Sequence, residues 1–296
     1  MYIGHIELNE AYIQVNGVCL LVLSAGNTDG QLVVCVHGFP DTPHTFMHQL
    51  QPLIDAGYYV VIPFMRGYAP SQTGPDVDYF PQRLSEDILA LIDHFSDNPA
   101  IILGHDWGAI AAYGAAQLAP DKIDKMITAA VPPFKVFSTA GGDLKQSWRS
   151  RYAVLFQCGP LANWSMRKNN CSGLDWLWGY WSPTWHYSPE DIQPLKDCLS
   201  QGGAMEAATG YYRAMVRGSI ADTRFAKLLM EPISVPTIVF SGTDDGCISP
   251  VFFDDLSESF SDEWQSISIQ DAGHFMHREK PEPFNTAMLT FLRSSL

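Results

Sequence analysis

Five residues, Gly104-His105-Asp106-Trp107-Gly108, restrict this chain more than any others. Before them stands Ala100-Ile101-Ile102-Leu103, an apolar run short and β-branched enough for a buried strand. After them, Ala109 to Ala116 is a run of small residues and mostly good helix formers. A strand, a Gly-x-Asp-x-Gly turn and a helix form the setting of a nucleophile elbow. The glycines permit a sharp turn, and the small residues let the helix pack close beneath the strand. At the tip, where such elbows carry Ser, stands Asp106.

That exchange changes the chemistry. A Ser must lose a proton to a base, whereas an aspartic acid in water, with a pKa of about 3.9, is already ionised at neutral pH. Asp106 can attack an electrophilic carbon directly and form an alkyl ester. This suits opening an epoxide or displacing a halide, and suits ester or peptide cleavage poorly. The competing structural reading is an Asp that only caps the helix beginning near Trp107.

The chain has 296 residues, enough for one large α/β domain or a core carrying an insertion. Hydrophobic residues make up 46 %, which argues against disorder. The net charge of -14 repels phosphate backbones and weighs against a nucleic-acid partner. No leader-like start and no apolar stretch approaching about 18 residues are present, so neither a signal peptide nor a membrane partner is expected. The six cysteines form no CxxC and no metal-ligand spacing, so reduced thiols, a cytoplasmic location and no metal are expected.

Along the chain, Tyr2 to Ser24 reads as two strands broken at Asn16-Gly17. Leu32 to Val36 is a strand buried on both faces, ending in His37-Gly38-Phe39-Pro40. A helix over Pro43 to Ala56, a strand at Tyr58 to Ile62 and a loop at Arg66 to Ser71 follow. A helix from Leu84 to Phe95 leads to the elbow strand, and Ile123 to Val131 is the next strand. Strands alternating with helices predict a mostly parallel sheet between helical layers. That pattern stops at Val131-Pro132-Pro133 and resumes at Pro236 to Phe240, then continues with a strand at Ser266 to Ile269 and a helix from Pro281. The segment between is rich in Trp, Tyr, Gly and Ser. It reads as a helical cap, residues 133–222, inserted into a core of residues 1–132 and 223–296.

An elbow enzyme also needs an acid and then a His, in that chain order. Thr243-Asp244-Asp245-Gly246 follows one buried strand, and Asp271-Ala272-Gly273-His274 follows the next. His274 would take a proton from water, and the acid would orient the ring. Gly242-Thr243-Asp244-Asp245-Gly246 also fits Gly-x-Asp-x-Gly, but no small-residue helix follows it. The residues alone leave the acid open between Asp244 and Asp245.

With these motifs in hand the chain resembles a soluble, cap-bearing epoxide hydrolase of the α/β-hydrolase fold, a family related to haloalkane dehalogenases. The likeness rests on His37-Gly38-Phe39-Pro40, Arg66-Gly67-Tyr68, Gly104 to Gly108 and Gly273-His274-Phe275, and it covers essentially the whole chain. It implies Asp245 as the acid, backbone N–H groups of Phe39 and Trp107 as oxyanion hole, and a cis bond before Pro40. It also implies His105, Trp107 and Phe39 beside the substrate, and no cofactor. The partners it implies are a small apolar epoxide and water.

The resemblance further implies two cap tyrosines that bind and protonate the epoxide oxygen. Tyr152 stands four residues before Phe156-Gln157, and Tyr212 precedes Arg213, as in the family. Tyr211 competes with Tyr212, but neighbouring helix positions face about 100° apart, so only one should point inward. Two alternatives stand beside this reading. A haloalkane dehalogenase would share Asp106 and His274, although Phe39 offers no side-chain donor for a halide. A non-catalytic binding protein would leave the nucleophile, base and acid without purpose.

Overall fold

The computed structural model describes residues 1–221 and 223–294. Its centre is an eight-stranded sheet. The strands are β1 (Asn9–Val15), β2 (Val18–Gly26), β3 (Leu32–Val36), β4 (Tyr59–Pro63), β5 (Ala100–His105), β6 (Ile123–Ala129), β7 (Thr237–Gly242) and β8 (Trp264–Ile269). Their order is β8-β7-β6-β5-β3-β4-β2-β1. Only the pairs β1–β2 and β2–β4 are antiparallel; the rest are parallel. Every residue of β3, β5 and β7 is buried, as expected of strands covered by helices on both faces.

The hairpin at Asn16-Gly17 forms where it was expected. Upstream the structure adds a second, two-residue pairing, Tyr2–Ile3 with Ile6–Glu7, too short for a sequence period to announce. The helix expected from Leu84 begins earlier, at Pro81, a residue suited to the first helical position. Arg66 explains its loop motif structurally. Its guanidinium is buried and grips Asp87 with two bonds of 2.7 and 2.6 Å, and a third reaches the Asp78 carbonyl. Removing one member of such a pair strands a buried charge at a cost of about 3–5 kcal/mol.

Among the described residues the segment between β6 and β7 contains helices and no strand. The sequence boundary at residue 222 lies outside the described residues. The segment's longest stretch, Gly159–Trp181, is two helical pieces joined by a turn in which Asn169, Asn170 and Cys171 have φ of 50, 55 and 59°. Asn tolerates this left-handed region better than most residues. The segment is tied to the sheet's carboxyl end by bonds from Trp178 Nε1 to the Pro40 carbonyl (2.8 Å) and from Tyr211 to the Arg66 carbonyl (2.5 Å). Among the described residues no helix is long and apolar enough to cross a membrane.

Candidate active site

At the end of β5 the chain turns into the helix Trp107–Leu118 with Asp106 at φ 53°, ψ -117°. A side chain is rarely held there, and such strain persists only where the surroundings impose it. The two flanking glycines are part of that imposition. A Cβ on Gly104 would collide with the Gly108 carbonyl, and one on Gly108 with the carbonyl of Val36 in the neighbouring strand. The helix therefore starts close against the sheet, and the Asp106 side chain is lifted clear of the turn. It makes no capping bond to its own helix, which removes the structural reading of this residue.

One oxygen of Asp106 instead accepts the backbone N–H of Phe39 at 2.7 Å, after a cis Phe39–Pro40 bond. The other lies 3.4 Å from Nε2 of His274. Nδ1 of His274 is 2.9 Å from Asp245, whose second oxygen accepts the N–H groups of Cys247 (2.6 Å) and Ile248 (3.0 Å). Those two amides fix the carboxylate, and the turn leaves Asp244 exposed, near only the Thr243 hydroxyl. Asp245, not Asp244, is thus the carboxylate on the histidine.

The His274 loop is held from behind. Its N–H donates to the Trp181 carbonyl (3.1 Å), and its carbonyl accepts His105 Nε2 (3.0 Å). Glu279 accepts the N–H groups of Gly273 (3.0 Å) and Phe275 (3.2 Å) and the hydroxyl of Ser182 (2.7 Å). Burial disfavours a charged His274 ring, but Asp245 and Asp106 together outweigh it and push the pKa up to about 10.

Tyr152 and Tyr212, expected from the helical segment, come together with ring centroids 5.7 Å apart. Tyr212 also stands over Trp107 (5.2 Å) and Phe39 (5.5 Å). Of the adjacent pair, Tyr211 is the one turned to the Arg66 carbonyl, while the Tyr212 hydroxyl has no hydrogen-bond partner among the described residues. Burial raises the pKa of both Tyr152 and Tyr212 well above that of a free phenol, and Asp106 adds to it, so both stay protonated.

His105 takes a different place from that expected. It sits behind the histidine loop, with ring centroids 5.1 Å from His274, 5.4 Å from Phe275 and 4.5 Å from His277, and not on the aromatic wall of Phe39, Trp107 and the tyrosines. The sharp turn at Asp106 separates its direction from that of its neighbour. Burial holds its pKa well below that of a free imidazole, so it is a neutral brace.

Two further residues join the site: Trp181, which the sequence offers only as one of five clustered tryptophans, and Cys247, which has no signal of its own. Trp181 lies 4.8 Å from the His274 ring and 4.9 Å from Tyr152, with its buried indole N–H unpartnered among the described residues. Cys247 places its sulfur 3.2 Å from the Tyr152 hydroxyl. Asp245, Cys247 and His274 bring ligand atoms within 4.8 Å of one another, the one grouping among the described residues with the donors of a metal site. Two of the three already bond each other.

A mostly parallel sheet of this strand order, with Asp106 at a sharp strand-to-helix turn and Asp245 and His274 beside it at the sheet's carboxyl end, defines an α/β hydrolase. The chain belongs to the α/β hydrolase fold family, which it matches over residues 31–281. It is 32 % identical to the AB hydrolase superfamily protein YfhM of Bacillus subtilis, over 96 % of this chain and 97 % of that one. It is 27 % identical to epoxide hydrolase A of Mycobacterium tuberculosis, with the same coverage of 96 % and 97 %. A crystal structure of a mutant Bacillus megaterium epoxide hydrolase, complexed with its diol product, superposes with a TM-score of 0.84. It is 27 % identical and covers 96 % of this chain and 100 % of that one. The resemblance drawn from the motifs therefore holds across the chain.

Proposed function

We propose that the protein hydrolyses an epoxide to a vicinal diol through an ester on Asp106, beneath a cap formed by the helical segment. The observation that carries this reading is that two buried phenols, packed together with Trp107 and Phe39, lie near enough to Asp106 for its charge to add to the rise in their pKa. A carboxylate and neutral proton donors in one buried site match the needs of a strained C–O bond. Asp106 attacks a ring carbon, and the bond's electron pair passes to the epoxide oxygen, which takes a proton from Tyr152 or Tyr212. His274, oriented by Asp245, then takes a proton from water as it adds to the ester carbonyl. The N–H groups of Phe39 and Trp107 hold the oxyanion. Collapse releases the second alkoxide, which is protonated by His274. The proton lost by regenerated Asp106 replaces, through solvent, the one the phenol gave up.

Label from water tests this sequence. In a single turnover in ¹⁸O-water, label should appear in Asp106, read by mass spectrometry of its peptide, while the first diol carries the original carboxylate oxygen. Label passing straight into the diol would mean direct attack by water and would remove Asp106 as nucleophile.

The acid is tested by a ranking. Asp245→Asn should lower turnover by about 10⁴-fold, since the amide cannot orient and stabilise the imidazolium in the same way. Asp244→Asn should change it little. The reverse ranking in steady-state rates would move the acid to Asp244.

The unpartnered indole of Trp181 favours a second reading, haloalkane dehalogenation, in which that N–H holds the departing halide. A panel of epoxides and haloalkanes scored for diol and for halide separates the two, and halide release without diol would establish the second.

A further inference from the structure

Cys247 is fully buried two residues beyond the acid, and its sulfur is the hydrogen-bond partner of the Tyr152 hydroxyl at 3.2 Å. The Tyr212 hydroxyl, whose near neighbours are Trp107 and Tyr152, makes no well-formed hydrogen bond among the described residues. The two phenols near Asp106 are therefore held differently in the free protein.

We infer that Cys247 is a positioning residue for Tyr152, its sulfur accepting the phenol's hydrogen bond in the free enzyme and its S–H donating to the phenol oxygen once Tyr152 has turned to the substrate. This rests on the epoxide reading above.

A thiol is both a weak donor and a weak acceptor, so one sulfur can serve both states. When a hydroxyl gives its hydrogen to a second oxygen, it becomes a better acceptor, and the chain of bonds strengthens. The phenol oxygen gains negative charge as the epoxide C–O bond breaks. An S–H pointed at it stabilises that charge when it develops. No bond to sulfur breaks at any point: the transferred proton is the phenol's, and the thiol keeps its own. Burial first, and then the charges of Asp245 and Asp106, hold the thiol well above its ordinary pKa, so it has a proton to donate. The backbone of Cys247 is fixed by the N–H bond to Asp245, which couples the tyrosine's position to the acid's turn.

Two readouts test this. In single turnovers, Cys247→Ala should slow formation of the Asp106 ester by about 2- to 10-fold, the worth of one neutral hydrogen bond. It should leave the ester's breakdown unchanged, and Cys247→Ser should recover most of the loss. In a double-mutant cycle the loss should vanish in a Tyr152→Phe background and persist in Tyr212→Phe. The second readout needs no turnover. In infrared difference spectra against Cys247→Ser, the S–H stretching band of Cys247 should shift on Tyr152→Phe and not on Tyr212→Phe. Equal losses in all backgrounds would make Cys247 a packing residue and overturn the proposal, as would a band indifferent to Tyr152. A wild-type protein that opens no epoxide would sink the epoxide reading, while the band would still decide whether the thiol holds the phenol.

Discussion

His274→Gln should stop the reaction halfway, leaving the protein heavier by the mass of one substrate. In the proposed mechanism Asp106 attacks without the help of a base, whereas the second step needs one to deprotonate water. The loss therefore falls on ester breakdown, by about 10²- to 10⁴-fold, the usual contribution of general base catalysis. The electrostatics of the site sharpen this expectation. In the free protein Asp245 and Asp106 overcome burial and raise the His274 pKa to about 10, so the ring is protonated at neutral pH. Alkylation turns the Asp106 carboxylate into a neutral ester and removes its share of that stabilisation, while burial remains. The pKa of His274 falls, and the ring becomes a base only after the nucleophile has been used. The sign of the pH dependence follows. Ester breakdown needs the neutral ring, so it should rise with pH through the lowered pKa and slow on acidification, and wild-type protein should accumulate ester at low pH. Intact-protein mass spectra after mixing the variant with an epoxide check this. An unmodified Gln variant that has consumed epoxide would exclude the covalent route.

The parts of this site that are readable in the sequence are those fixed by short-range geometry. The elbow announces itself because its glycines and small helix are demanded by collisions within a few residues and one neighbouring strand. Asp106, the Asp244-Asp245 pair and His274 are visible because parallel strands deliver their loops to one end of the sheet in chain order. The helix axis separates Tyr211 from Tyr212, but period alone does not say which faces inward. That depends on the bond from Tyr211 to the Arg66 carbonyl across 145 positions.

What stayed hidden depends on packing between distant segments. Trp181 and Cys247 meet Tyr152 because the end of one helix docks on two sheet loops, through bonds from Gly246 and His274 to the Trp181 carbonyl. Neither residue has a spacing that reports this. His105 illustrates the converse: adjacency to Asp106 in sequence placed it at the substrate, whereas the turn sends it behind the histidine. The choice of Asp245 over Asp244 rests on two backbone amides, at Cys247 and Ile248, whose direction no composition reveals.

Replacing both Tyr152 and Tyr212 with Phe should nearly abolish formation of the Asp106 ester. In the proposed mechanism each phenol donates to an oxygen that becomes negative only as the C–O bond breaks, and loss of one such donor costs about 10²- to 10³-fold. Their rings lie 5.7 Å apart in a buried aromatic cluster, where the missing hydroxyl has no ready substitute. Phe keeps the ring that packs on Phe156, Phe39 and Trp107, so the fold should survive, which circular dichroism and thermal unfolding would verify. The single variants should differ. Tyr212→Phe removes a hydroxyl with no partner to lose among the described residues, whereas Tyr152→Phe also leaves the Cys247 thiol without its hydrogen bond. Both should slow the first step and spare breakdown of preformed ester, since the proposed oxyanion of the second step takes its hydrogen bonds from the Phe39 and Trp107 backbone N–H groups and not from the phenols. Halide displacement provides the contrast, because a departing halide needs no proton. A double variant that still opens epoxides at the wild-type rate would take the tyrosines out of the mechanism and leave the unpartnered Trp181 indole, beside His274, as a remaining buried donor.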